Sequence, residues 1–113
     1  MIKTINAPLN VHVFPIISPR SGEAVRNQYS ILIPGKVCFQ SYESLIAVYD
    51  YESGHLILGR HFDYSVTTSK YLNAWLQNHC YNLYCLFPKG KSIKDTLTKA
   101  INAGLIEYDE NMI

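Results

Sequence analysis

The side chains best able to do chemistry crowd one stretch, Asp63-Tyr64-Ser65-Val66-Thr67-Thr68-Ser69-Lys70. An apolar pattern of helical period begins just after it, so the stretch sits where a helix should start. The first N–H groups of a helix have no partner inside it, and the helix dipole favours negative charge at that end. Ser65, Thr67, Thr68 and Lys70 are therefore the candidate anion-binding set, for a phosphate, a nucleotide or a carboxylate. A Walker A loop is excluded, because its glycines are missing and the lysine follows the hydroxyl residues. The same hydroxyls have a plainer and commoner role. Ser65 or Thr67 caps the helix by accepting an orphan N–H, with no ligand at all.

Other reactive types are scattered. His55, His61 and Asp63 lie at even spacing in an extended run, so all three project from one face, as a metal or acid–base site would require. The four histidines and three cysteines lack the paired spacing of structural zinc ligands, so neither metal nor cofactor is expected. There is no G-x-S-x-G elbow and no paired-carboxylate pattern. No catalytic residue is assigned, and the balance falls against an enzyme. Five of the nine tyrosines, Tyr42, Tyr49, Tyr51, Tyr64 and Tyr71, crowd the middle of the chain. Exposed together, they suit a protein interface or a stacking platform for single-stranded nucleic acid. Otherwise they line the boundary between sheet and helices. Lys89, Lys91, Lys94 and Lys99, interrupted by Asp95, read as a solvated face.

The elements that must position these residues form an α+β fold. Asn10 to Ile17 alternates like a strand, and Pro15 makes it an edge strand or a bulged one. Ser18 to Glu23 reads as a loop, and Gln28 to Ile33 as a strand closed by the turn Pro34-Gly35. Val37 to Tyr42, Leu45 to Tyr51 and His55 to Phe62 follow with short connections, the last through Glu52-Ser53-Gly54, which predicts an antiparallel meander. Apolar residues fall on both faces, with Ile46 and Val48 on one and Leu45, Ala47, Tyr49 and Tyr51 on the other. The expectation is a sheet of five to six strands covered by two helices on one face, leaving a tyrosine-rich second face. Thr68 to His79 carries the stripe Tyr71, Leu72, Trp75, Leu76 and His79 of an amphipathic helix. Tyr81 to Phe87 is read as a strand, with a buried continuation of the helix as the alternative. Ser92 caps a second helix with the stripe Ile93, Leu97, Ala100 and Ile101, and Gly104 stands where a C′ glycine belongs. Leu105 to Tyr108 completes the sheet as a short strand.

Bulk properties bound the function. The 113 residues suit one domain from end to end, and a hydrophobic fraction of 48% against 17% charged is that of a globular chain. A net charge of +1 disfavours both wholesale coating of nucleic acid and acidic mimicry of it. No apolar run reaches the roughly 20 residues of a bilayer span, so no membrane partner is expected. Residues Met1 to Asn6 lack the pattern of a signal peptide. Cys38, Cys80 and Cys85, an odd number without a framework, fit a reducing, cytoplasmic compartment.

Two segments together resemble a known type of protein. Ser41-Tyr42-Glu43-Ser44-Leu45-Ile46-Ala47-Val48-Tyr49, then a hairpin, then Asp63-Tyr64-Ser65-Val66-Thr67-Thr68-Ser69-Lys70-Tyr71-Leu72, is similar to the SY-x-[ST]-x-[IV]-A strand and [DY]-YS-x-TTSK helix start of small uncharacterised proteins of bacteriophages and other mobile elements. The resemblance covers the middle third of the chain. It implies a non-enzymatic accessory protein that binds a bacterial host protein, such as an inhibitor of a CRISPR effector, in the host cytoplasm. The alternative is a nucleic-acid- or nucleotide-binding module built on Ser65–Lys70 and the neighbouring tyrosines. Oligomeric state is not legible at this level.

Overall fold

A computed structural model describes residues 10–112. Residues Met1 to Asn6, considered above as a leader, lie outside the described residues. Six strands form one sheet in chain order: β1 (His12–Ile17), β2 (Ala24–Ile33), β3 (Lys36–Ser41), β4 (Ser44–Asp50), β5 (His55–Gly59) and β6 (Glu107–Asp109). The first five are antiparallel neighbours, the expected meander. Between β5 and β6 the chain crosses the sheet through α1 (Val66–His79), the single turn α2 (Tyr81–Tyr84) and α3 (Ile93–Asn102). That crossover returns the chain in the same direction, so β6 pairs parallel to β5. The result is a mostly antiparallel α+β fold. No helix among the described residues is long and apolar enough to cross a membrane.

Local chemistry sets the ends of these elements. Gly35 and Gly54 take the positive φ values, 75° and 70°, that the tight turns around them need. Ser65 caps α1 and Ser92 caps α3, each hydroxyl accepting the N–H three residues on. Gly104, at φ 78°, follows the last turn of α3 as a C′ glycine.

The core lies between the helices and one face of the sheet. Val37, Phe39, Leu56 and Leu58 from the strands meet Leu72, Trp75 and Leu76 of α1 and Leu97 and Ala100 of α3, all essentially without solvent exposure. Phe39 and Trp75 pack with ring centroids 6.0 Å apart. Each such aliphatic side chain contributes about 2 kcal/mol by leaving water. Tyr49 is paired with Val37 and Leu56, so it shares their covered face and packs on the core. The second face carries Val13, Ile31, Cys38, Val48 and Ile57, paired in one row across five strands. The expected tyrosine-rich second face is thus corrected: Tyr49, the one tyrosine of β4, lies under the helices, and the central row of the second face is aliphatic apart from Cys38.

A bulge accounts for the parity of β4. Phe39 pairs with Ala47 and Gln40 with Leu45, which leaves Ile46 as the extra residue, buried like its neighbour Ala47. The segment from Tyr81 to Phe87 is also corrected, from strand to a helical turn followed by an irregular stretch. Leu83, Tyr84 and Phe87 reach the core while Tyr81 and Cys85 are exposed. That is spacing of a helical turn, whereas alternation would have buried Tyr81 and Cys85 as well.

Candidate recognition groove

At one end of the sheet three separate segments enclose an open groove of about 740 Å³. The β3–β4 turn supplies Ser41, Tyr42, Glu43 and Ser44, and the irregular start of β2 supplies Asn27. The β5–α1 connection and first helical turn supply His61, Tyr64, Ser65, Thr67 and Thr68, over Ile46. Both motif segments quoted above, far apart in sequence, therefore meet here.

The turn wall is built on unusual backbone. Tyr42 has φ 55° and Asn27 φ 64°, the two residues other than glycine with positive φ among those described. Asparagine enters this region readily, but a bulky side chain pays about 1–2 kcal/mol. The conformation of Tyr42 is held from both sides. Its N–H donates to the Asn27 carbonyl at 2.6 Å, and its own carbonyl accepts from Gln40 Nε2 at 2.8 Å. The consequence is a tyrosine ring presented at the groove, 49% exposed.

The opposite wall is anchored by Phe62, which is buried and pins the connection to the core. Around it the Phe62 N–H donates to the Gly59 carbonyl and the Tyr64 N–H to that of His61. Tyr64 stands 72% exposed, edge-on to His61 with centroids 6.0 Å apart. Arg60 Nε donates to His61 Nε2 at 3.2 Å, so this ring nitrogen is the acceptor of the pair.

The floor is a chain of hydroxyls. Ser65 Oγ accepts the Thr68 N–H at 3.0 Å and donates to Thr68 Oγ1 at 3.1 Å. Thr68 Oγ1 lies 2.9 Å from Ser41 Oγ, a hydroxyl–hydroxyl bond in which either oxygen can be the donor. Thr68 is completely buried. These hydroxyls tie helix to sheet; none is hydrogen-bonded to a base that could activate it. Directly across the strand pair from Ser41, Gln28 is fully buried with neither amide atom hydrogen-bonded. No signal in the sequence distinguishes Gln28 from the other polar residues of β2.

The expected anion-binding set is brought together only in part. Ser65, Thr67 and Thr68 reach the groove; Lys70 lines a second hollow, of about 490 Å³, between the starts of α1 and α3, and Ser65 lines that hollow too. Its ammonium sits 5.3 Å from the Tyr71 ring centroid, and nearby Lys94 pairs with Asp63 at 3.1 Å. The five tyrosines separate too. Tyr42 and Tyr64 face the groove, Tyr49 and Tyr71 pack on the core, and Tyr51 lies 3.4 Å from His79 Nδ1 at the C-terminal end of α1. The trio His55, His61 and Asp63 is dispersed: His55 binds Glu107 at 2.8 Å, His61 binds Arg60, and Asp63 binds Lys94. Among the described residues no three His, Cys, Asp or Glu side chains are grouped to hold a metal.

Residues 14–91, a span that includes the whole groove, match the model of a family of unknown function (DUF8033). No curated protein and no solved structure matches the chain.

Proposed function

The chain belongs to the DUF8033 family, whose function is unknown, and we propose that it is a non-enzymatic module that grips a partner protein in the groove. The observation that carries this reading is the composition of the groove at one end of a rigid sheet. Eight of its eleven lining residues are Tyr, Ser, Thr or Asn, and a single carboxylate, Glu43, is the only fixed formal charge. Protein-binding loops use this mixture, with tyrosines as rigid anchors and small polar side chains as adaptable hydrogen-bonding groups. Tyr64 and Tyr42 are the anchors, presented on connections held by a scaffold. Among the described residues no lysine or arginine lines the groove itself, Lys70 lying in the neighbouring hollow with Ser65 and Ser69, which favours a protein over a phosphate in the groove. The resemblance to phage and mobile-element proteins supplies the partner class, a bacterial host protein. A defence protein such as a CRISPR effector is the target to be blocked, in the host cytoplasm.

Affinity capture from a bacterial lysate, with and without nuclease, tests the reading. One protein should be retained in near-stoichiometric amount, unaffected by nuclease or by Lys70→Ala. Tyr64→Ser should weaken its binding at least about tenfold, the usual weight of a central tyrosine anchor. Capture that disappears with nuclease, or that survives a Tyr42→Ser/Tyr64→Ser double change, overturns it.

A further inference from the structure

Four of the exposed large apolar side chains fall within seven residues of one another, at β1: Val11, Val13, Phe14 and Ile17 are 47%, 58%, 52% and 52% exposed. Among the described residues β1 is also the outermost strand of the sheet. The direction of its backbone groups follows from the ladder. The two-residue turn Pro34-Gly35 closes on the pair Ile33 and Lys36, which makes that pair hydrogen-bonded. By alternation Ile31 and Tyr29 also turn their backbone groups toward β3, while Leu32 and Ser30 turn theirs to His12 and Phe14 on β1. Val13 and Pro15 therefore direct their backbone groups away from the sheet. The position of the proline agrees, because a residue without an N–H is tolerated where no ladder bond is lost.

We propose that β1 pairs with β1 of a second copy of this chain, antiparallel about a two-fold axis at Val13. In that register Val13 meets its own copy and exchanges two N–H to carbonyl bonds. Val11 comes opposite Pro15, so each Pro15 carbonyl accepts from a Val11 N–H, and the missing proline N–H falls opposite the exposed first residue of the edge. On the other face His12 comes opposite Phe14, side chains that already stack within one chain at 6.2 Å. Apolar and aromatic side chains across an antiparallel pair stabilise it on both faces. β1 carries no Asp, Glu, Lys or Arg, and the whole chain has a net charge of +1, so two copies meet without like-charge repulsion. Sliding the register brings the proline gap to the centre and loses bonds, which fixes the pairing. The far edge, β6, is three residues long and carries Glu107 and Asp109, so association stops at a closed pair.

Sedimentation velocity over micromolar to submillimolar concentration reads the outcome. The wild-type chain should pass from monomer to dimer. Val13→Pro removes an N–H that the proposed ladder leaves unused inside the monomer; it should stay monomeric with an unchanged circular-dichroism spectrum. Should that variant fail to fold, Val13→Lys, which sets two ammonium groups against each other on the axis, should be monomeric instead. A wild-type chain that remains monomeric throughout, including one that binds only a foreign extended peptide, overturns the proposal. So does a dimer that survives in a folded Val13→Pro or Val13→Lys chain. Tyr64→Ser should leave the dimer intact, which keeps this edge independent of the groove; loss of the dimer in that variant also overturns it.

Discussion

Tyr42 concentrates the tension between stability and recognition at a single residue. Its side chain is half exposed and packs little, yet its backbone occupies a region that favours Gly or Asn, held there by Asn27 and Gln40. Strain kept in place from both sides is a feature of binding sites. Tyr42→Asn should therefore raise stability by about 0.5–1 kcal/mol in urea unfolding, because asparagine accepts the positive φ, while weakening capture of the partner. Lower stability in that variant would remove the strain argument. The sequence made the residue visible as a tyrosine in a motif. Its backbone conformation is a product of the irregular backbone at Asn27 and the two-residue turn, neither of which a single sequence declares.

At the scale of elements, α1 is fastened to the sheet at both ends by side-chain hydrogen bonds. At its start Thr68, itself bonded to Ser65, reaches Ser41; at its end His79 lies between Ser30 and Tyr51, with Trp75 Nε1 donating to the same Ser30 hydroxyl at 3.3 Å. Burial pushes the His79 imidazole below its ordinary value of 6.5, so the folded state prefers the neutral ring. The unfolded chain then binds the proton more readily than the folded one. The stability associated with this group is present above the unfolded value of 6.5 and is lost as pH falls from there through the lower folded value. Melting temperatures followed downward from neutral pH should show this decline, and His79→Gln, which cannot titrate, should flatten it. An unchanged slope in His79→Gln would assign the decline elsewhere. The stripe that ends in His79 was legible as helical period. The reading of Tyr81 to Phe87 failed because a short apolar aromatic run does not state its own period; packing of Leu83, Tyr84 and Phe87 decides it.

At the scale of the whole molecule, the cysteines report which surfaces are closed. Cys80 is buried at the end of α1 and its thiol is pushed up to about 12 by burial. Cys38 is buried in the aliphatic row of the second face and is likewise raised. Cys85 is exposed. Since the thiolate is the reactive form, alkylation of the folded protein should modify Cys85 rapidly, with Cys38 and Cys80 reacting only after denaturation. Mass spectrometry of the labelled peptides checks this; early modification of Cys38 would mean that the second face opens in solution.

By itself the sequence determined the α+β class, the meander with its turns at Pro34-Gly35 and Gly54, the Ser92 cap, the cap of α1 as one of Ser65 and Thr67, and the C′ glycine. These follow from local periodicity and from residues whose backbone preferences act over a few positions. Tertiary structure alone decided which face the helices cover, and with it that Tyr49 is interior and Val13, Ile31, Val48 and Ile57 form the other face. Alternation groups residues by face without saying which face is buried, because that choice depends on where a distant helix packs. The junction from Asp63 to Lys70 was likewise legible as a helix start. Only the fold sets Lys70 in a neighbouring hollow that shares Ser65 with the groove, and joins Tyr64 to Tyr42, since the groove is made by three segments that meet through long-range contacts.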